Sequence, residues 1–410
     1  VRHHDARVRT TLAACAAFAA LAGTALAGAA PASGAEGGGT TIAPGVTYEE
    51  FDIPAAKGLT HAHVLSVDLR APHVRVDLLH PDAVGARATI SSLADASGAV
   101  GGVNGDFFNI TESQHPGVEA TGASVGPAVA SGRTLKSAVP DGQRFGPALP
   151  PGTTTEDVLG VGVDHRARLD RMALDGSVRA DGRTLPLGGL NQYALPVGSV
   201  GAFTSDWGSV SRVRATCGTD MNRAAPCSTD TYEVTVREGR VVSSADTPGK
   251  GPVASGTTVL VGREAGAQEL RKLSEGDRVE ITHRLVAASS HVPFRFAVGG
   301  YPVLRDGAPL PGLDTKTAAV RTAAGATSDG RHLFLLALDG APKYRTGLTI
   351  AEVADAMGKL GADDAFSLDG GGSSTLATRD PGAASVTVRN HPTDPPERAV
   401  ANGIGVFSKQ

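Results

Sequence analysis

Short runs of alternating or β-branched apolar residues recur along this chain. They are His63-Val64-Leu65-Ser66-Val67-Asp68-Leu69, Val74-Arg75-Val76-Asp77-Leu78-Leu79, Tyr232 to Val236, Thr257 to Val261, Arg278 to His283, Leu333 to Leu338, Ser385 to Val388 and Ile404 to Phe407. Each is bounded by Gly, Pro, Asp or Asn, the punctuation expected of strands. Helical periodicity is scarce. One short stretch runs from Ser91 to Ala96, and a longer one opens at Thr349 and ends near Gly361, with Thr349 and Glu352 spaced as a capping box. Many strands and few helices, without regular βαβ alternation, predict an α+β fold: a β-rich core of mixed or antiparallel sheet.

The first 27 residues read as an address. Arg2, Arg7 and Arg9 precede an Ala/Leu/Phe run from Thr10 to Leu26, and Ala25-Leu26-Ala27 supplies a small-x-small cleavage site. This is the pattern of a signal peptide, which predicts an exported protein, secreted or associated with the cell wall, with no membrane span after cleavage. Residues 28–45, rich in Gly, Ala, Ser, Thr and Pro, predict a flexible linker. Residues 46–410 then form one domain, in which 133–290 is a β-rich embedded lobe poor in chemistry between core halves 46–132 and 291–410.

Composition narrows the function. With 38 Lys and Arg against 42 Asp and Glu, the net charge is -4, so no global basic field is present to hold nucleic acid. An apolar fraction of 41% is enough for a packed core. Cys15 lies in the leader, which leaves Cys217 and Cys227 as an expected loop-closing disulfide in an exported chain.

Four stretches concentrate chemistry. Val103-Asn104-Gly105-Asp106-Phe107-Phe108-Asn109 sets two aromatics against Asn and Asp. Ala297-Val298-Gly299-Gly300-Tyr301-Pro302 allows backbone to approach a ligand closely. Arg321-Thr322 pairs a guanidinium with a hydroxyl, a combination suited to phosphate or carboxylate. Phe366 to Thr375 runs an apolar strand into Asp369, three glycines and the hydroxyls of Ser373, Ser374 and Thr375. A merely structural turn has no need of that carboxylate and those donors. Other motifs are weaker. Gly122-Ala123-Ser124-Val125-Gly126 matches a nucleophile elbow in letters, but Pro116-Gly117 and Pro127 stand where a strand and a helix are required. His61 and His63 share one strand face without a third metal ligand at recognisable spacing, and Asn109-Ile110-Thr111 is a glycosylation sequon.

Taken in order, N-G-D-F-F, V-G-G-Y-P-V-L-x-x-G, R-T-x-x-G, L-D-G after a strand, L-D-G-G-G-S-S-T and a late R-x-V-x-N-G resemble the phosphodiester glycosidase family, over 46–132 and 291–410. The resemblance implies an exported hydrolase that cuts a sugar from a sugar-1-phosphodiester by C1–O cleavage. It marks Asp369, with Asp106 or Asp339 as a second carboxylate, for catalysis. For substrate binding it marks Asn104, Phe107, Gly299, Gly300, Arg321, Thr322, Gly370, Gly371, Gly372, Ser373, Ser374, Arg398 and Asn402. The family often carries Gly where Asp106 stands. The implied partner is a small-molecule or cell-envelope sugar phosphate; no cofactor is required, and a divalent cation shared by the Asp residues stays open. Two other classes remain in play: a non-catalytic wall- or polysaccharide-binding protein, and a phosphodiesterase cutting P–O.

Overall fold

A computed structural model describes residues 39–340 and 346–409. The leader and cleavage site at 1–27, and the linker as far as 38, lie outside the described residues. The remainder of the predicted linker contains a strand. Thr40–Ala43 pairs antiparallel with Val46–Ala55, because Thr41 and Ile42 are β-branched and Pro44-Gly45 turns the chain back, with Gly45 at φ 75°.

Three sheets make up the fold. The first has eight strands in the order Thr40–Ala43, Val46–Ala55, Gly58–Asp68, His332–Leu338, Thr322–Ala326, Asp364–Ser367, Tyr301–Arg305 and Ala308–Pro309. The second has five: Thr387–Val388, Leu376–Thr378, Gly101–Asn104, Gly403–Phe407 and Arg75–Leu79. The third, of eleven strands, takes most of its members from residues 133–290 but also includes Ala128–Ala130 and Phe294–Gly299. Pairing is antiparallel almost throughout, with a parallel contact between Arg183–Leu190 and Val200–Phe203. The result is the β-rich α+β architecture the apolar pattern predicts. Both predicted helices form, as Ile90–Ser97 and Ile350–Lys359. The second has its capping box and buries Val353, Ala354 and Met357. The hairpin of Ala167–Ala180 with Arg183–Leu190, turning on Asp181-Gly182, was not visible as apolar runs because much of it is charged and exposed. None of the described helices is long and apolar enough to cross a membrane.

One apolar cluster is shared by all three sheets. Leu65, Leu335 and Phe366 come from the first, Val103 and Ile404 from the second, and Leu159, Phe296 and Val298 from the third. Burial of these side chains, worth about 1.5–3 kcal/mol each, fixes the sheets against one another. The strand ends that leave this core are therefore held at defined positions, and several carry the polar residues singled out above.

Candidate active site

Three strand ends converge. Gly101–Asn104 leaves the five-stranded sheet and delivers Gly105 and Asp106. Asp364–Ser367 leaves the eight-stranded sheet and delivers Leu368 and Asp369. Phe294–Gly299 leaves the eleven-stranded sheet and delivers Gly299-Gly300. The Asp369 amide donates to the Gly105 carbonyl at 2.9 Å, which places the two aspartates on neighbouring turns of backbone.

Asp106 is buried, at 2% exposure. Its Oδ2 accepts the Gly126 amide at 2.6 Å, while Oδ1 is buried with no hydrogen-bond partner among the described residues. Room for this carboxylate depends on two glycines. A Cβ on Gly299 would lie 2.4 Å from Asp106 Oδ2, and the Gly126 and Gly299 backbones approach too closely for side chains on either. The final Gly of the elbow-like motif thus serves as an amide donor to Asp106. Ser124 is itself buried, outside any strand-to-helix turn.

Asp369 is partly exposed. Oδ1 accepts the Gly370 amide at 2.9 Å and Oδ2 accepts the Ser373 hydroxyl at 2.7 Å. Burial pushes its pKa up to about 6, against those two hydrogen bonds and the Arg398 charge, and the Asp106 charge adds to the rise. Asp106 is likewise raised by burial, opposed by the Gly126 amide and by the Lys136 and Arg144 charges. Two carboxylates that resist ionisation side by side are typical of acid–base sites.

The cations come from different parts of the chain. Arg398 binds Asp394 through Nε at 2.8 Å, and its Nη1 lies 3.5 Å from Ser373 Oγ. Its guanidinium covers Gly372, where a Cβ would meet Nη2 at 2.2 Å. Arg144 lies over the rings of Phe107 and Tyr301, 4.9 and 5.6 Å from their centroids. Phe107 and Tyr301 are themselves stacked at 5.9 Å. Arg144 also lines a cleft of about 640 Å³ with Asp141, Gln114, Asn222 and Arg223. Lys136 is fully buried and donates to the carbonyls of Val125 (3.2 Å), Gly126 (2.5 Å) and Ser137 (2.6 Å). It therefore anchors the segment whose amide holds Asp106. Lys136 and Arg144 both lie in the stretch that the sequence reading treated as poor in chemistry. Nothing in their local sequence distinguishes them from surface cations.

The other marked residues divide into two groups. Asn104, Thr322, Ser374 and Asn402 are buried organisers. Asn104 Nδ2 donates to the Asp369 carbonyl at 2.7 Å, and its Oδ1 accepts from Thr322 Oγ1 (2.8 Å) and the Thr375 amide (3.1 Å). Thr322 Oγ1 also lies 3.0 Å from Ser374 Oγ, and Asn402 Oδ1 accepts the Asp106 amide at 2.9 Å. Arg321 gives Nε to the Leu348 carbonyl (3.0 Å) and Nη2 to the Thr317 carbonyl (2.8 Å). The Gly370 and Gly371 amides are turned to Asp369 Oδ1 and the Val320 carbonyl. Gly371 has φ 58° with open space where a Cβ would stand, so the loop's outer face is unobstructed.

Asp339 lies elsewhere in the network. It is fully buried, its Oδ1 is 3.0 Å from His63 Nε2 and accepts the His391 amide at 2.6 Å, and its Oδ2 is 3.1 Å from His391 Nδ1. Asp106, Asp339 and Asp369 do not form a three-ligand metal cluster among the described residues. The Asn109 sequon side chain is buried and engaged with Thr111, Glu112 and Thr121. The expected Cys217–Cys227 disulfide is present.

A family model described as phosphodiester glycosidase matches residues 230–407, which contain Asp369, Arg398 and the glycine loop. Among solved structures, a hypothetical protein from Synechocystis superposes with a TM-score of 0.68 at 18% identity, covering 89% of this chain and 62% of its own. The chain therefore spans less than two thirds of that protein. A putative exported protein from Burkholderia pseudomallei K96243 gives 0.64 at 23% identity, covering 85% and 74%. The zebrafish N-acetylglucosamine-1-phosphodiester alpha-N-acetylglucosaminidase catalytic domain, auto-inhibited by its pro-peptide, gives 0.44 at 14% identity, covering 90% and 86%. At these identities the likeness is one of fold. Comparison with curated proteins gives no match.

Proposed function

From the match of residues 230–407 to the phosphodiester glycosidase family, we propose that this chain is an exported hydrolase acting on a sugar-1-phosphodiester, with Asp369 and Asp106 at the scissile C1–O bond. The observation that carries the reading is the meeting of Asp106 and Asp369 on backbone joined by the Asp369 amide and the Gly105 carbonyl, with Arg398 beside the Ser373 hydroxyl that binds Asp369. The disulfide fits an oxidising compartment.

The chemistry suits such a pair. A phosphate monoester leaves as an anion, so strong general-acid assistance is less necessary than in ordinary glycoside hydrolysis. The site must then neutralise the phosphate and stabilise positive charge growing on the sugar ring. Arg398 beside Ser373, and Arg144 across Phe107 and Tyr301, supply the first need as oriented guanidinium donors. Asp369 supplies the second and accepts the proton of the attacking water, since a carboxylate with a pKa near 6 is largely ionised at pH 7 yet still basic. Asp106 acts from behind Asp369: its charge raises the pKa of that neighbour, while its own Oδ1 is buried without a hydrogen-bond partner. Phe107 and Tyr301 are themselves buried and stack beneath Arg144, so they hold its guanidinium in place.

Hydrolysis of a sugar-1-phosphodiester in ¹⁸O-labelled water tests the reading. Label recovered in the sugar supports C1–O cleavage. Label in the phosphate means P–O cleavage, and tight binding without turnover on any sugar phosphate means a binding protein.

A further inference from the structure

Residues 137–152 carry Arg144, yet apart from one short 3₁₀ turn at Asp141–Gln143 they belong to no helix or strand. No ladder of backbone hydrogen bonds holds this stretch, so its polar groups must be met from elsewhere in the chain. Three consecutive residues are met by the loop that Cys217–Cys227 closes. The Gly142 amide donates to the Asp220 carbonyl at 3.0 Å, and Gln143 Nε2 donates to the Thr219 carbonyl at 2.5 Å. The Arg144 carbonyl accepts from Arg223 Nη1 at 2.6 Å. A Cβ on Gly142 would lie 2.3 Å from the Asp220 carbonyl oxygen, so the two backbones touch only because that residue is glycine. Resting on the reading of Arg144 as a phosphate donor, we propose that Arg223 is its positioning residue and that the Cys217–Cys227 bridge holds Arg223 there, so that the phosphate site is complete only while the bridge is closed.

Arg223 is itself oriented. Its Nε donates to Gln114 Oε1 at 3.0 Å and its guanidinium lies 4.0 Å from the Phe145 ring centroid, so Nη1 meets the Arg144 carbonyl from a fixed direction. On the other side of Arg144, Gly146 packs on Phe107, where a Cβ would stand 2.3 Å from the ring. The backbone is thus pinned before and after Arg144. The side chain has fewer ties: Nη1 donates to the Pro147 carbonyl, and Nε is buried with no hydrogen-bond partner among the described residues. Its donor capacity is unspent, and its aim depends on the backbone it leaves from and the rings beneath it.

The bridge matters because Gly218 to Pro226 contain no helix or strand. Arg263 Nη2 donates to the Gly218 carbonyl at 2.9 Å and His115 Nε2 lies 2.8 Å from the Ala225 carbonyl, which anchors the two ends of the loop. Its hydrogen bonds to residues 142–144 come from Thr219, Asp220 and Arg223, between the two cysteines. Opening the bridge returns conformational freedom to that segment. Reduction by a dithiol passes two electrons and two protons to the bridge, leaving two cysteine thiols and the dithiol as its own cyclic disulfide.

Kinetics on a sugar-1-phosphodiester and a neutral aryl glycoside test Arg223 with the bridge intact. Arg223→Ala should raise KM for the phosphodiester about tenfold more than for the aryl glycoside, with a smaller change in kcat. Arg223→Lys, which keeps a donor for the Arg144 carbonyl, should recover most of that loss. Isothermal titration should show inorganic phosphate binding about tenfold more weakly to Arg223→Ala than to wild type. Reduction of wild type by a dithiol, and Cys217→Ser combined with Cys227→Ser, should reproduce the weaker phosphate binding and speed hydrogen exchange at the Gly142 amide. If the double cysteine variant does not fold, Arg223→Ala and the reduced wild type decide. The proposal is overturned if Arg223→Ala acts equally on both substrates and binds phosphate as wild type does, or if reduced protein keeps its phosphate affinity and its Gly142 protection. Weaker phosphate binding by Arg223→Ala, with no sugar-1-phosphodiester turned over by wild type, would keep the clamp and remove the glycosidase reading. Turnover that ignores both Arg223 and the bridge would do the reverse.

Discussion

Leu338-Asp339-Gly340 and Leu368-Asp369-Gly370 are the same tripeptide, each emerging from an apolar strand. Those strands flank the same neighbour, Thr322–Ala326, in one sheet. Yet the two carboxylates have opposite electrostatics. Burial pushes the Asp339 pKa up, but the hydrogen bonds of His63 and of the His391 backbone and ring, with the His63 charge, more than offset this and hold it below the usual value. Asp369 receives neutral donors, a glycine amide and a serine hydroxyl, and sits beside Asp106; burial wins and its pKa rises to about 6. Motif and strand position are shared, so the difference comes from what the rest of the chain brings alongside. Asp339 is built as a buried tie between elements, and Asp369 as a carboxyl group that resists ionisation.

The largest test of that contrast is turnover. Asp369→Asn should lower kcat on a sugar-1-phosphodiester by about two or more orders of magnitude while circular dichroism stays unchanged. A near-normal rate would remove Asp369 from the chemistry. Asp339→Asn should act on stability first. A lowered folded pKa contributes stability present above the unfolded value and lost as pH falls through the folded one. Removing that charge at pH 7 should cost about 3–5 kcal/mol in urea unfolding, the penalty for breaking a buried pair, and less once the pH falls below the lowered folded pKa.

Asp369→Asn should have the opposite sign in the same experiment. With a folded pKa raised to about 6, the protonated form is favoured. The associated stability is full below the unfolded value and is lost as pH rises through 6. Asparagine is neutral at every pH, so the variant should exceed wild type by up to about 3 kcal/mol at pH 8 and match it at pH 3.5. Equal pH profiles for the two proteins would show that Asp369 is not held in the environment described. The smallest effect separates the arginines. Arg398→Ala should slow cleavage of the phosphodiester roughly tenfold or more relative to a neutral aryl glycoside, as loss of a charge-assisted hydrogen bond does. Arg321→Ala, whose Nε and Nη2 serve backbone carbonyls, should affect both substrates alike. A selective loss at Arg321 would restore the phosphate role that its motif implies.

Strands with a clear apolar alternation, such as Gly58–Asp68, Thr257–Arg263 and His332–Leu338, and both longer helices were legible because period-2 alternation and a Thr-x-x-Glu cap are local signals. Thr40–Ala43 was hidden by small residues around it, and the charged hairpin of Ala167–Ala180 by having little apolar pattern. In the site, the residues within the glycine loop and beside Asn104 stood out because carboxylates, hydroxyls and glycines were consecutive. Lys136 and Arg144 did not. They reach Asp106 only through the folding of a stretch with no motif, and their proximity is a long-range contact.

By itself, the sequence determined the β-rich class and the disulfide partners, and singled out a short list of candidate polar residues, because composition and spacing restrict backbone geometry and donor chemistry locally. Which of those residues are charged, buried or spent on backbone was decided by the tertiary structure alone. Desolvation and Coulomb interactions depend on neighbours far apart in the chain: His63 against Asp339, Asp106 against Asp369, and Glu50 across from His63. Three sheets closing on one core set those distances, and no local pattern encodes them.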